Sequence, residues 1–205
     1  VGWNFRFSMR IKSIIMRIKT AESRPLKVAA LLHEDVLASS LTLPMEILTG
    51  AAQALGQPAA KSVSIKYYGR EAGPLTIQSD LTLLVESVDL LQSTDLLIIP
   101  AIWRQPLRVI RRHQKLINAM TTHLMGTGLT VSVGSGTFLL AETGCMAGQS
   151  ATTHWHWFDA FAQRYPDVQL QRNQLITQAG KVFCAGSVNS VADLMVYLCS
   201  QLFSN

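Results

Sequence analysis

Leu129-Thr-Val-Ser-Val133, Gly134-Ser135-Gly136 and Thr137-Phe-Leu-Leu-Ala-Glu142 follow one another without a break, and the reading of this stretch decides the fold. The first five residues are apolar or β-branched throughout, the pattern of a strand covered on both faces. Two glycines around a serine supply the torsional freedom of a tight turn. A helix then begins at once. Strand, tight turn and immediate helix lift one residue into a cleft at a helix N-terminus, where backbone N–H groups favour an oxyanion or a bound anion. A dinucleotide fingerprint would need G-x-G-x-x-G, but Leu139 stands at the third glycine. A hydrolase elbow would need G-x-S-x-G, yet Val133 and Thr137 flank Ser135 where the glycines belong. A turn that uses glycine only for its torsion angles is the third reading.

The surrounding chain alternates in the same way. Lys27–His33 and Asp95–Ala101 are further fully apolar strands, and Ser62–Tyr68 alternates as another. Leu75–Gln78 and Leu81–Val85 read as a short hairpin, and Leu175–Gln178 pairs with Val182–Ala185 around Ala179-Gly180. Helices are expected from Pro44 to about Leu55, from Pro106 to His123, within residues 151–165 after a short strand, and over Val188–Phe203. Alternation of this kind builds a mostly parallel sheet with helices on both faces. Ligands of such sheets bind beyond the carboxyl ends of the strands, here the turns after His33, Ile99 and Val133.

Composition narrows the class. The 205 residues are 48% hydrophobic and only 15% charged, which excludes disorder. No run reaches the roughly 18 apolar residues of a membrane span, and Arg17 and Lys19 cut short any signal core. Cys145, Cys184 and Cys199 are an odd three without C-x-x-C spacing, which favours a reducing, cytoplasmic setting over a disulfide framework or a structural zinc. The net charge of +5 resides wholly in residues 1–24, where Arg6, Arg10, Lys12, Arg17, Lys19 and Arg24 face Glu22 alone. Residues 1–25 are thus a basic extension on a neutral body. Phe5, Phe7, Met9 and Ile11 alternate as in a strand, while Ile11, Ile14, Ile15 and Ile18 have helical spacing. The segment reads either as an arm touching DNA or a membrane surface, or as a solvated extension or dimer arm. The chain opens on Val1 rather than Met, which fits a processed chain or a fragment.

Val131–Glu142, with Ala151-Thr-Thr-His-Trp155 and Tyr165-Pro-Asp-Val168, resembles the ThiJ/PfpI branch of the class I glutamine amidotransferase-like superfamily. More narrowly it resembles the N-terminal sensor domain of AraC-type transcriptional regulators, whose segments read S-V-C-T-G-A-F-x-L-A, A-T-T-H-W and F-P-D-V. Leu43–Leu48 is similar to that family's G-P-L-E-V-F helix, Asp95–Ala101 to its D-x-L-x-x-P-G strand, and Cys184–Leu194 to its closing S-A-G…D-L. The resemblance covers residues 26–203. It implies an α/β, flavodoxin-like three-layer sandwich over residues 26–205, with a helix-turn-helix domain expected C-terminal to this chain. It further implies an effector-sensing and dimerising module rather than an enzyme, without cofactor or metal. The partners expected are a small effector such as an amino acid or amine, a second copy of the chain, and DNA through the further domain. The alternative is a stand-alone hydrolase, amidotransferase or glyoxalase.

Departures from the family pattern bear on the chemistry. Gly134 stands where the superfamily carries its elbow cysteine, and glycine has no nucleophile. Ser135 follows it, with a side chain expected to point away from the cysteine position. Ala101 replaces the glycine after the strand-end proline and is followed by Ile102-Trp103. The family's cysteine-facing acid corresponds to Glu46, which without a thiol is a carboxylate free to hold an amine, or an ordinary first-turn glutamate. By motif match His154 sits at the cleft mouth. Trp155 and Trp157 cannot both face inward, so one belongs to the core and one to the cleft or an interface. Trp103 and Trp155 would offer cation–π faces. The expected ligand-binding set is therefore Glu46, Ala101, Ile102, Trp103, Gly134, Ser135, His154 and Trp155. His33 is read as a polar strand end, either near the cleft or simply solvated, His113 and His123 as helix-surface residues, and Cys184 as core. Arg104, Arg108, Arg111, Arg112 and Lys115 share one helical face, either a DNA stripe or a solvated surface.

Overall fold

The computed structural model describes residues 12, 15, 16, 24–54, 63–124, 126 and 128–203. Ten strands and six helices lie along these residues. They are β1 (Leu26–Leu31), α1 (Ala38–Ala54), β2 (Val63–Gly69), β3 (Gly73–Thr76), β4 (Thr82–Ser87), β5 (Leu96–Ile99), α2 (Pro106–Arg112) and α3 (Gln114–Leu124). After these come β6 (Leu129–Val133), α4 (Thr137–Glu142), β7 (Ser150–Ala151), α5 (Phe158–Arg164), β8 (Gln169–Leu170), β9 (Ile176–Ala179), β10 (Val182–Ala185) and α6 (Val188–Phe203). Eight strands form one sheet in the order β3-β4-β2-β1-β5-β6-β10-β9, and β7 pairs with β8 separately. All neighbours in the large sheet are parallel except the two edge pairs, β3 with β4 and β10 with β9.

Side chains alternate across the pleat, so each central strand feeds two cores. Val28, Ala30, Leu96, Ile98, Val131 and Val133 face α1 and α6. Ala29, Leu31, Leu97 and Ile99 face α2, α3, α4 and Phe161 of α5. The result is the expected three-layer sandwich. The chain leaves β1 toward β2 and later returns beside it as β5, so the sheet reverses its winding at the carboxyl ends of β1 and β5.

Several expected elements shift. The first helix starts at Ala38, not Pro44, because Pro44 is accommodated inside it. The long helix breaks at His113, whose backbone (φ −114, ψ 37) leaves the helical region between α2 and α3. That break also undoes the continuous basic face. Arg104 lies before α2 at φ 61, and Lys115, on α3, is paired with Asp89 at 2.6 Å. His33 and His113 are not solvated but 2% and 6% exposed, and His123 is half-buried with its Nε2 3.1 Å from the Thr94 hydroxyl. The strand-or-helix reading of the basic extension falls mostly outside the described residues. Of those described, Ile15 is buried against the α1–α6 core. Arg24 makes two bonds of 2.6 and 2.8 Å to Asp95, which also accepts the Lys27 N–H at 2.8 Å. Burial opposes the Asp95 charge, but these bonds hold its carboxyl below the usual range.

Candidate functional site

Beyond the carboxyl ends of β5 and β6 the chain makes the strand–turn–helix corner read from the sequence. Gly134 opens the turn at φ 49, a left-handed conformation that glycine adopts without steric cost. Gly136 has ordinary helical torsions, and its need is space. A Cβ there would stand 2.3 Å from the Pro100 carbonyl oxygen and 2.7 Å from that of Ile99. At Gly134 a Cβ would meet only ordinary contacts, 3.6 Å from Ala101 Cβ and 3.8 Å from His154 Cβ. The corner therefore offers room for a side chain at residue 134, and the sequence leaves it empty.

The walls are tied down by buried hydrogen bonds. Ser135 Oγ donates to the Ile102 carbonyl at 2.7 Å and accepts the Ile102 N–H at 2.9 Å, so it braces the wall and is turned from residue 134's position. Thr153 Oγ1 donates to the Gly134 carbonyl at 3.0 Å. The Ala101 N–H donates to Ser40 Oγ at 2.8 Å, and the Leu37 N–H to the Ala101 carbonyl at 2.8 Å. The Trp103 N–H donates to the Asp35 carbonyl at 2.6 Å. Val36 and Ile102 form an antiparallel bridge.

These segments enclose a cavity of about 380 Å³. Six of the eight expected residues line it: Ala101, Ile102, Trp103, Gly134, Ser135 and His154. Two do not. Glu46 is exposed on the outer stripe of α1 with Ser39, Gly50 and Gln53, while Ser40, Leu41, Pro44, Met45 and Leu48 face inward. Trp155 is 70% exposed, and Trp157 lines the cavity in its place. The short turn Trp155–Trp157 rotates successive side chains by about a third of a turn, so neighbours two apart diverge.

Leu37, Arg104, His156 and residues 187–189 complete the lining. None was singled out for the cavity from sequence, where Arg104 was marked only as part of a basic run. His154 Nδ1 accepts the His156 N–H at 3.3 Å, which leaves Nε2 to carry the proton of a neutral ring. Burial, then the neighbouring His156, lowers the His154 pKa and favours that neutral form. Arg104 stacks over the Trp103 ring at 5.3 Å, occupying that aromatic face. The N-terminus of α6 opens at Val188 beside the cavity. The lining thus gathers donors and positive potential and contains no carboxylate.

This doubly wound α/β sandwich, with a tight strand-to-helix corner after β6, is the fold of solved ThiJ/PfpI structures. The fold matches a ThiJ/PfpI family protein from Pseudomonas syringae at a TM-score of 0.72, with 16% identity over 91% of this chain and 73% of that one. It matches an AraC family transcriptional regulator from Pseudomonas putida at a TM-score of 0.71, with 20% identity over 88% and 94%. In sequence, the chain is similar to the HTH-type transcriptional regulator CdhR of Pseudomonas aeruginosa, with 33% identity over 75 residues. That stretch spans 36% of this chain and 22% of the regulator. No protein-family model matches the chain. The solved neighbours thus include an AraC family regulator and a ThiJ/PfpI family protein, the two groups that the sequence resembles. Among the described residues no helix is long and apolar enough to cross a membrane.

Proposed function

We propose that this chain is the effector-sensing domain of an AraC-type transcriptional regulator, whose elbow cavity binds a small molecule without turning it over. The observation that carries the reading is Gly134, which has the left-handed torsion and open space of an elbow residue but no side chain. Covalent catalysis at that point has no attacking atom. The regulators among the relatives support a sensor rather than an enzyme.

The cavity's volume suits a small ligand. Its lining favours a carboxylate-bearing effector, such as an amino acid, with the acid group toward Arg104, His154 Nε2 and the start of α6. Leu37, Ile102 and Trp157 would cover the apolar part. A bare amine loses the anchor expected for it, since Glu46 lies on the outside of α1. Binding would shift a pre-existing equilibrium between arrangements of a homodimer and so position DNA-binding domains beyond this chain.

Thermal-shift and calorimetric titration with amino acids, simple carboxylates and amines tests this reading. Carboxylates are expected to raise the melting temperature by mass action, with Arg104→Gln and Trp157→Ala weakening them and NMR showing the ligand unchanged. Binding by amines alone, or turnover of the bound compound, would refute it.

A further inference from the structure

The end of β1 and the break between α2 and α3 bring a second group of side chains together, on a cavity of about 220 Å³ that shares no lining residue with the elbow. His33 and His113, eighty positions apart, stack with ring centroids 5.0 Å apart and an interplanar angle of 32°. His33 Nε2 and both nitrogens of His113 are buried without a hydrogen bond, although Glu34 Oε2 approaches His113 Nε2 to 3.3 Å from the exposed side. Buried polar atoms are nearly always partnered, and three orphaned nitrogens on two touching rings demand an explanation. Asp35 supplies a carboxylate beside them. One donor atom from each of His33, Asp35 and His113 lies within 4.8 Å of the others.

We propose that His33, Asp35 and His113 form a binding site for a divalent transition-metal ion of the zinc class. Two imidazoles and a carboxylate match the donor preference of such ions. Donors around a tetrahedral ion with bonds of about 2.0–2.1 Å stand about 3.4 Å apart, so closure needs side-chain shifts on the order of 1 Å. The orphaned nitrogens are the atoms that coordination would satisfy. His33 gives up the long 3.2 Å contact that its Nδ1 accepts from the Asp35 N–H whichever nitrogen binds, because Nδ1 then either holds the ion or carries the ring's proton. Glu34, with Oε2 3.3 Å from His113 Nε2, is the fourth donor at the exposed side. Glu71 adds a further acid to the cavity wall, against Arg70, which it faces at 3.9 Å. An ion here would also stiffen the 33–37 loop, whose Leu37 lines the elbow cavity.

Untagged, EDTA-treated full chain titrated with zinc chloride by calorimetry is expected to bind one ion per chain. Cobalt(II) should give the visible bands of a tetrahedral nitrogen–oxygen site. His33→Asn and Asp35→Asn should each weaken binding at least tenfold, whereas His123→Gln, at a distant histidine, should not. Should His33→Asn fail to fold, the half-buried Asp35 still decides, since its amide keeps the shape and loses the ligand charge. The proposal is overturned if wild type takes up no stoichiometric zinc, if Asp35→Asn binds as wild type does, or if His154→Ala removes binding instead.

Discussion

The two glycines of the elbow serve different needs, and alanine substitution separates them. At Gly134 alanine would have to hold φ 49, which costs an L-residue about 1–2 kcal/mol. Its added methyl finds contacts no closer than 3.6 Å, and alanine lowers the unfolded chain's entropy by about 0.4–1 kcal/mol, so the net loss is about 1 kcal/mol. At Gly136 the torsions (φ −59, ψ −23) suit alanine, but the methyl would lie 2.3 and 2.7 Å from two β5-end carbonyl oxygens. Neither can move without displacing the central sheet, so overpacking of about 3 kcal/mol or more is expected. For a chain of this size each kcal/mol lowers the melting temperature by about 2–4 °C. Urea and thermal unfolding followed by tryptophan fluorescence should therefore place Gly134→Ala a few degrees below wild type. Gly136→Ala should lie about 6 °C or more below it, or not accumulate folded. A Gly136→Ala protein as stable as Gly134→Ala would refute the reasoning. In a Cys145→Ser background, which removes the exposed native thiol, Gly134→Cys should react rapidly with a disulfide reagent. Protection of that thiol would show that residue 134 does not face the cleft.

Burial, with a smaller push from His113, drives the His33 pKa down to about 3, and burial lowers His113 as well. The unfolded chain then binds more protons below pH 6.5, so this stabilisation is full above 6.5 and is lost as pH falls. Between pH 7 and pH 5 His33 alone accounts for about 2 kcal/mol, and His33→Asn in EDTA should flatten the acid limb of stability by that amount; an unchanged limb would exclude the effect. Asp95→Asn removes the charge that holds Arg24 and the Lys27 N–H. It should cost about 2 kcal/mol at neutral pH, read as a lower urea midpoint, and a loss under about 0.5 kcal/mol would show the tie to be dispensable.

Local features were legible in the sequence because their causes are local. The β6–α4 corner depends on five apolar residues and two glycines in a row, and the structure places it as read. The α6 limits, Val188 and Phe203, were also found, helped by the Ser187–Ser190 pair that caps its start through reciprocal bonds of 2.9 and 3.2 Å. The break at His113 carries no such mark. Arg111-Arg-His-Gln114 has neither glycine nor proline, so an uninterrupted helical pattern hid the turn that buries the histidine against His33.

Glu46 shows where motif matching parts from geometry. A matched residue inherits a position along the helix, but its direction depends on helical phase, set here by the buried set Leu41, Met45, Leu48 and Ala52. Glu46 lies one residue past Met45, about 100° around the axis, and faces solvent. The same argument displaces Trp155 in favour of Trp157. Once the acid is outside, the positive potential of the cavity follows from Arg104 and the start of α6, with His154 as a neutral donor, and the three arrive from separate segments. The carboxylate preference proposed for the ligand therefore rests on how the fold assembles these segments and not on the motif.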